Sequence, residues 1–359
     1  MGPMWSLDAL GWNDRCARAF APLAGPDILP GRVSLEHRHI YRVLTGRGEL
    51  PARVAGRLRH QALAAADYPV VGDWVALRAR PGELRTTILA ILPRASRFSR
   101  KVAGEVTSEQ VVAANIDTVF LAMGLDGDFN LRRIERYLVA AWESGARPVV
   151  LLTKADLADD VTARVRDVAA VASGAPVHAT SARAQSGLEA LAPYLEAGRT
   201  VALLGSSGVG KSTLINRLVG REALRTADVS GFRSRGRHTT THRELVVLPG
   251  GGLVIDTPGL RELRLWEEPG AVEAAFTDID ALAGGCRFAD CRHDTEPGCA
   301  VHAAAADGRL APDRLASYLK LRRETEYLAG RQDHLAQLEH KRKWKAISKA
   351  IRQIKPDRA

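Results

Sequence analysis

The residues Gly205, Ser206, Ser207, Gly208, Val209, Gly210, Lys211 and Ser212 have the spacing G-x-x-x-x-G-K-S, and that spacing is suited to holding phosphate. Glycines let the loop wrap an anion with its backbone N–H groups, and a following helix adds the positive end of its dipole. Lys211 can reach the β- and γ-phosphates of a nucleotide, and the Ser212 hydroxyl can ligate Mg²⁺. The stretch Thr200–Leu204 before the loop reads as a buried strand. Thr213–Leu218 after it reads as the start of a helix with one apolar face, the context this motif requires. Alone, the loop implies a nucleoside triphosphate without saying which base it carries.

Three further motifs narrow the base to guanine. Asp256-Thr257-Pro258-Gly259 follows a strand-like run and fits D-x-x-G, with Asp256 placed to hold Mg²⁺ through water and the Gly259 N–H to sense a γ-phosphate. Thr153-Lys154-Ala155-Asp156 fits [N/T]-K-x-D. The Asp156 carboxylate can accept from both guanine N1–H and the exocyclic amine, while the Lys154 stem packs on the base. Adenine offers no such donor pair. Ser181-Ala182 fits the short loop whose backbone reaches guanine O6. A P-loop kinase or ATPase would leave Asp156 and this loop without explanation.

The order of these motifs is unusual. The guanine motifs at 153–156 and 181–182 precede the phosphate loop, and Asp256–Gly259 comes last. The expected sheet is therefore circularly permuted, and its γ-phosphate sensor runs within about a dozen residues into the C-terminal region, a short covalent lever. Between phosphate loop and sensor lies Gly236-Arg237-His238-Thr239-Thr240-Thr241-His242. Of its threonines, Thr240 is favoured to close over Mg²⁺. Leu260 stands where Ras-like proteins place a water-orienting glutamine. His238 is the nearest substitute, against the reading of a structural or RNA-contacting histidine.

A second constellation lies further on. Cys286, Cys291, His293 and Cys299 offer three thiolates and one imidazole, the donor set of a closed tetrahedral Zn²⁺ site with structural rather than catalytic use. His302 is a spare imidazole nearby, and Cys16 is remote and reads as unpaired. Clustered cysteines without an export signal favour metal over disulfides and a cytoplasmic compartment.

The 359 residues allow two or three domains. Residues 1–35 read as an N-terminal extension. Residues 36–100 hold short β-rich runs separated by turns, among them Ile40–Leu44, Ala52–Leu58, Val70–Leu77 and Thr86–Leu92, and many arginines. That pattern fits a small OB-type barrel with a basic face suited to RNA. Residues 101–267 alternate strand and helix as a doubly wound P-loop α/β domain, with a helix from Leu131 to Glu143 capped by Asn130. Residues 268–359 read as a mostly helical zinc-binding region ending in a basic tail. Lys320–Ala359 holds 12 Lys or Arg against 5 Asp or Glu, most of the net charge of +10. Such a balance points to a polyanionic partner, and no apolar run reaches membrane-spanning length.

Taken together, the permuted order, GSSGVGKS, GRHTTT, DTPG followed by a hydrophobic residue, and the Cys₃His set resemble the ribosome small-subunit-dependent GTPase A (RsgA) family over roughly residues 36–340. The resemblance implies a permuted GTPase that hydrolyses GTP to GDP, is stimulated by the ribosome and acts in late maturation of the 30S subunit through 16S rRNA contacts. It also implies GTP contacts from Thr153–Asp156 and Gly205–Thr213, zinc on Cys286, Cys291, His293 and Cys299, and a catalytic role at His238. Thr153 replaces the commoner asparagine, whose side chain would brace the phosphate loop and base; threonine is expected to do so only in part. The chain is expected to act as a monomer with one Zn²⁺ and Mg²⁺-GTP. The competing expectation is an RNA-binding clamp gated by guanine nucleotide with negligible turnover.

Overall fold

The structure is a computed structural model that describes residues 4–37, 40–79, 86–101, 109–220, 243–256 and 270–327. The chain enters through a short helix α1 (Asp14–Phe20), capped by Asn13, whose side chain accepts from the Cys16 N–H. It then forms β1 (Ile28–His37), β2 (Ile40–Thr45) and β3 (Gly48–Val54), turns through α2 (Gly56–Gln61), and adds β4 (Trp74–Arg78) and β5 (Thr86–Ile91). Strand order β1-β2-β3-β5-β4, closed by pairing of β4 with β1, makes the five-stranded barrel expected of an OB-type domain. Alternate inward residues Val33, Tyr41, Val43, Val75, Leu77 and Ile88 fill it.

Two expectations shift here. Within residues 1–35, expected as an extension, β1 already forms part of the barrel from Ile28 on. The segment before it also docks: Leu10 is fully buried and the Trp12 ring packs edge-on to Trp74. The run Ala52–Leu58 divides, because the strand ends at Val54 and α2 begins at Gly56.

A hairpin of β6 (Arg97–Lys101) and β7 (Glu109–Ala114) leads into the α/β region. There follow β8 (Thr118–Gly124), α3 (Leu131–Ser144), β9 (Arg147–Thr153), α4 (Val161–Ala169), β10 (Val177–Ala179), β11 (Thr200–Gly205), α5 (Lys211–Val219), β12 (Glu244–Val247) and β13 (Leu253–Asp256). Helix α3 starts where its sequence says: the Asn130 side chain accepts from the Arg133 N–H, and Gly145 ends it in left-handed conformation. The sheet order β10-β9-β8-β11-β13-β12 is parallel except for β12. Strand β11, which feeds the phosphate loop, sits centrally although β8 to β10 precede it in the chain. This is the permuted sheet the motif order demanded.

The C-terminal region comprises α6 (Ala271–Ala275), α7 (Thr277–Ala283), α8 (Ala300–Ala306) and α9 (312–327). It is not a separate lobe with its own core. Phe276, Ile279, Val301, Leu315, Tyr318 and Leu321 join one apolar cluster with Ile134 and Leu138 of α3 and Val119 and Leu121 of β8. On the sheet's other face, Phe120, Leu203, Leu214 and Ile215 form a second cluster under α5. At the barrel side, Leu35 of β1 pairs with Glu244 of β12, so the barrel continues the α/β sheet edge to edge.

Candidate nucleotide and metal sites

The phosphate loop leaves β11 at Gly205. A side chain there would press to 2.4 Å from the Ala122 carbonyl of β8, so only glycine lets the two strand ends lie this close. Gly208 and Gly210 take φ of 76° and 100°, in the left-handed region that favours glycine. Lys211 opens α5 and donates to the loop's own carbonyls at Gly205 (2.7 Å) and Ser206 (2.6 Å). Its ammonium is thus folded over the loop. The Ser206 hydroxyl donates to Asp128.

The guanine motifs reach the same edge of the sheet, at the C-terminal ends of β9 and β10. Thr153 Oγ1 donates to the Val209 carbonyl at 2.7 Å and lies 3.3 Å from the Met123 carbonyl. Threonine therefore makes the brace to the phosphate loop, one part of the asparagine role. Lys154 adopts φ of 57°, a conformation that costs a non-glycine residue about 1–3 kcal/mol, and its Nζ donates to Asp126 at 2.6 Å. Asp156 lies in the turn Ala155–Leu157 and accepts from the buried Ser181 hydroxyl at 2.5 Å. The Ala155 N–H bonds to the Thr180 carbonyl, and Ser181 Oγ also accepts from the Ala184 N–H, which shapes the loop that carries Ala182. Ser212 lies in the first turn of α5 and Asp256 ends β13, next to β11. His238, Thr240 and Gly259, with Leu260, lie outside the described residues.

Motif reading missed two carboxylates. Asp126 and Asp128 follow β8, and each takes a hydrogen bond from a residue the motifs name. Burial pushes the Asp126 carboxyl up most, but the Lys154 hydrogen bond and charge, with backbone N–H bonds from the turn, together outweigh it and hold the group below the usual carboxylate range. The Arg133 guanidinium, 2.7 Å away, does the same for Asp128. An Asp-Gly-Asp turn gives no such signal in a single sequence.

The second site gathers Cys286, Cys291, His293 and Cys299, whose ligand atoms all lie within 4.8 Å of one another. Cys286 and Cys299 sulfurs are 3.9 Å apart, and His293 Nδ1 lies 3.6 and 3.4 Å from them. Zn–S bonds near 2.3 Å at tetrahedral angles give sulfur separations of about 3.8 Å, close to the Cys286–Cys299 distance, so the donor set fits one zinc ion. Burial raises the Cys286 thiol most, but backbone N–H groups of Ala300 and Val301 at the start of α8, with hydrogen bonds from the Cys291 and Cys299 thiols, together outweigh it and favour thiolate. His302 is no ligand: its Nε2 meets the His293 carbonyl at 3.0 Å and supports the ligand loop from behind. Cys16 is free, as expected.

The model of the RsgA GTPase matches residues 91–266. A small ribosomal subunit biogenesis GTPase of Opitutus terrae is 52% identical over 351 residues, covering 95% of this chain and 96% of the relative. The chain belongs to the RsgA GTPase family. A second relative, from Oceanobacillus iheyensis, is 45% identical over 323 residues, covering 90% of this chain and 92% of its own. Among solved structures, the crystal structure of YjeQ from Thermotoga maritima aligns with a TM-score of 0.62 at 30% identity, over 83% of this chain and 98% of that one. YloQ, described as a circularly permuted GTPase, aligns at 0.61 and 25% identity over 83% of this chain and 95% of that one. The circular permutation named for YloQ agrees with the strand order of this chain.

Proposed function

We propose that this GTPase turns over GTP on the 30S ribosomal subunit, binding 16S rRNA during late subunit maturation. Its relatives' names carry the ribosomal part. The observation that supports the nucleotide part best is the Thr153 Oγ1 bond to Val209, which locks guanine motif and phosphate loop into one unit. On GTP binding, Lys211 exchanges the Gly205 and Ser206 carbonyls for β- and γ-phosphate oxygens. Asp156 accepts from the guanine edge, and Ser181-Ala182 closes over O6. Mg²⁺ arriving with GTP would be held by Ser212, Asp256 and Thr240 and would neutralise charge on the phosphates. With Leu260 unable to orient water, His238 takes that role and stimulation comes from the ribosome. The chain works as a cytoplasmic monomer; among the described residues no helix is long and apolar enough to cross a membrane.

The test is GTP hydrolysis with and without purified 30S subunits. Stimulation of at least tenfold is expected, falling with added salt as phosphate contacts are screened, and lost in His238→Ala. Absence of stimulation would favour the guanine-gated RNA clamp, the reading that Leu260 keeps in play. Asp156→Asn checks the base. It removes the acceptor pair for guanine, so GDP affinity is expected to fall about a hundredfold while ADP affinity stays where it was. Competition of both nucleotides against a fluorescent GDP analogue measures this.

A further inference from the structure

Strand β8 lies between β9 and β11 in the sheet. The loop leaving its C-terminal end is therefore held between the guanine motif and the phosphate loop. This loop is tied to both. The Leu125 N–H bonds to the Thr153 carbonyl at 2.8 Å, and Gly124 passes so close to Asp126 that a Cβ would sit 2.7 Å from its Oδ1. Asp126 folds onto itself as well: its Oδ1 accepts from the Asp128 N–H at 3.1 Å and its carbonyl from the Phe129 N–H. That leaves Oδ2 to receive Lys154 Nζ at 2.6 Å. Asp128 is fixed from the other side by Arg133 Nη1 at 2.7 Å and takes the Ser206 hydroxyl.

We propose that Asp126 and Asp128 are positioning residues for the nucleotide, Asp126 on the base side and Asp128 on the phosphate side. The inference rests on the reading of Thr153–Asp156 and Gly205–Ser212 as a guanine nucleotide site. Lys154 is useful to a base only if its methylene stem lies flat across the ring. A flexible four-carbon chain does not hold that pose unless its ammonium is anchored. Asp126 is the anchor, and its place in the loop after β8, the strand next to β9, fixes the direction of the stem. Asp128 does a different job. It ties the second residue of the phosphate loop to the first turn of α3, so the loop is held in shape before a phosphate arrives. The two carboxylates act through Lys154 and Ser206 and touch neither phosphate nor base in this arrangement.

Their roles separate by ligand. The full chain carrying Asp126→Asn, Asp126→Glu or Asp128→Asn is titrated with a fluorescent GDP analogue, displaced in turn by GDP and by inorganic pyrophosphate. Asp126→Asn is expected to weaken GDP about tenfold and pyrophosphate less than twofold, with Asp126→Glu regaining most of the loss. Asp128→Asn is expected to weaken both ligands alike. In turnover, Asp126→Asn raises KM more than it lowers kcat. Equal losses for both ligands in Asp126→Asn, or none, would overturn the assignment. If Asp156→Asn loses GDP while Asp126→Asn binds it as the wild type does, the inference alone fails. If Asp156→Asn also binds GDP normally, the guanine site and the inference fall together.

Discussion

Cys299→Ser is expected to abolish tight zinc binding and to unfold the segment 286–306, while the barrel and nucleotide site stay folded. Cys299 is the buried thiolate of the set, and it caps α8 by accepting from the His302 N–H at 3.5 Å. Losing it removes a ligand and a helix cap together. Structural zinc in small peptide sites carries an apparent binding free energy of about 10–16 kcal/mol. A whole domain is stable by only about 5–15 kcal/mol. Besides the metal, the polar loop from Cys286 to Cys299 has mainly local bonds to hold it. Glu296 accepts from the Arg292, Asp294 and Thr295 N–H groups, Asp294 meets Arg323 at the surface, and Arg287 and Asp290 are exposed. None of the four ligands contacts Thr153–Asp156 or Gly205–Ser212, so GDP affinity should stay within about twofold. Metal content by elemental analysis and limited proteolysis with and without chelator check this. Cleavage confined to the ligand loop is the expected pattern, and a chelated wild type that resists protease would contradict it.

How much of this was legible in the sequence differs from element to element. The phosphate loop, the guanine motifs and the Cys₃His set could be read because their chemistry needs fixed residue types at short spacing. The permuted sheet could be read because each motif ends a strand, and motif order then fixes strand order. Strand β1 was hidden. Pro30 and Gly31 interrupt its pattern, yet Gly31 is where the strand passes over the barrel interior. A side chain there would press to 2.5 Å from Val43 and 2.9 Å from Leu77. The fusion of the C-terminal helices with the α3 face was hidden too. Alanine-rich helices around a metal cluster read equally well as a separate lobe, and the apolar positions that join them lie far apart in the chain.

Asp126, Asp128 and Glu135 were invisible for a related reason. A charge on a helix or turn reads as solvated unless its partner is known. Arg314 pairs with Glu135 across 179 residues, and no local pattern records such a pairing. Barrel and metal region thus meet the nucleotide domain through backbone pairing at Leu35 and Glu244 and through side chains on α3.

Arg314→Met is expected to cost about 3–5 kcal/mol of stability. Arg314 lies buried on α9, its guanidinium 4.5 Å from the Phe276 ring centroid. Its Nη1 donates to Glu135 Oε1 at 2.9 Å. Its Nε and Nη2 donate to the two Asp278 oxygens at 2.7 Å each, and the Val171 and Ala275 carbonyls lie at 3.4 and 3.3 Å. Burial would lower the Arg314 pKa, but Asp278 and then Glu135 outweigh it and hold the charge. Glu135 is completely buried on α3, with Arg132 as its one other cationic partner among the described residues. Removing the Arg314 guanidinium leaves that carboxylate in an apolar wall, which costs more than the pair contributed.

Two measurements isolate this cause. Arg314→Met combined with Glu135→Leu should be more stable than Arg314→Met alone, because the stranded charge is gone. The acid side tests Asp278, whose carboxyl Arg314 holds below its ordinary 3.8 despite burial. A depressed folded pKa means its contribution is complete above that ordinary value and is lost as pH falls through the lower folded one. The wild type should therefore lose stability below about pH 4 more steeply than Arg314→Met, in urea titrations repeated across that range. Parallel slopes for the two proteins would show that the Arg314–Asp278 contact, which joins α7 to α9 within the metal region, adds nothing to stability. Recovery of stability in the double variant makes α3, which carries Glu135, the joint through which metal region and nucleotide domain share one core, with Arg133 at its first turn bonded to Asp128 beside the phosphate loop.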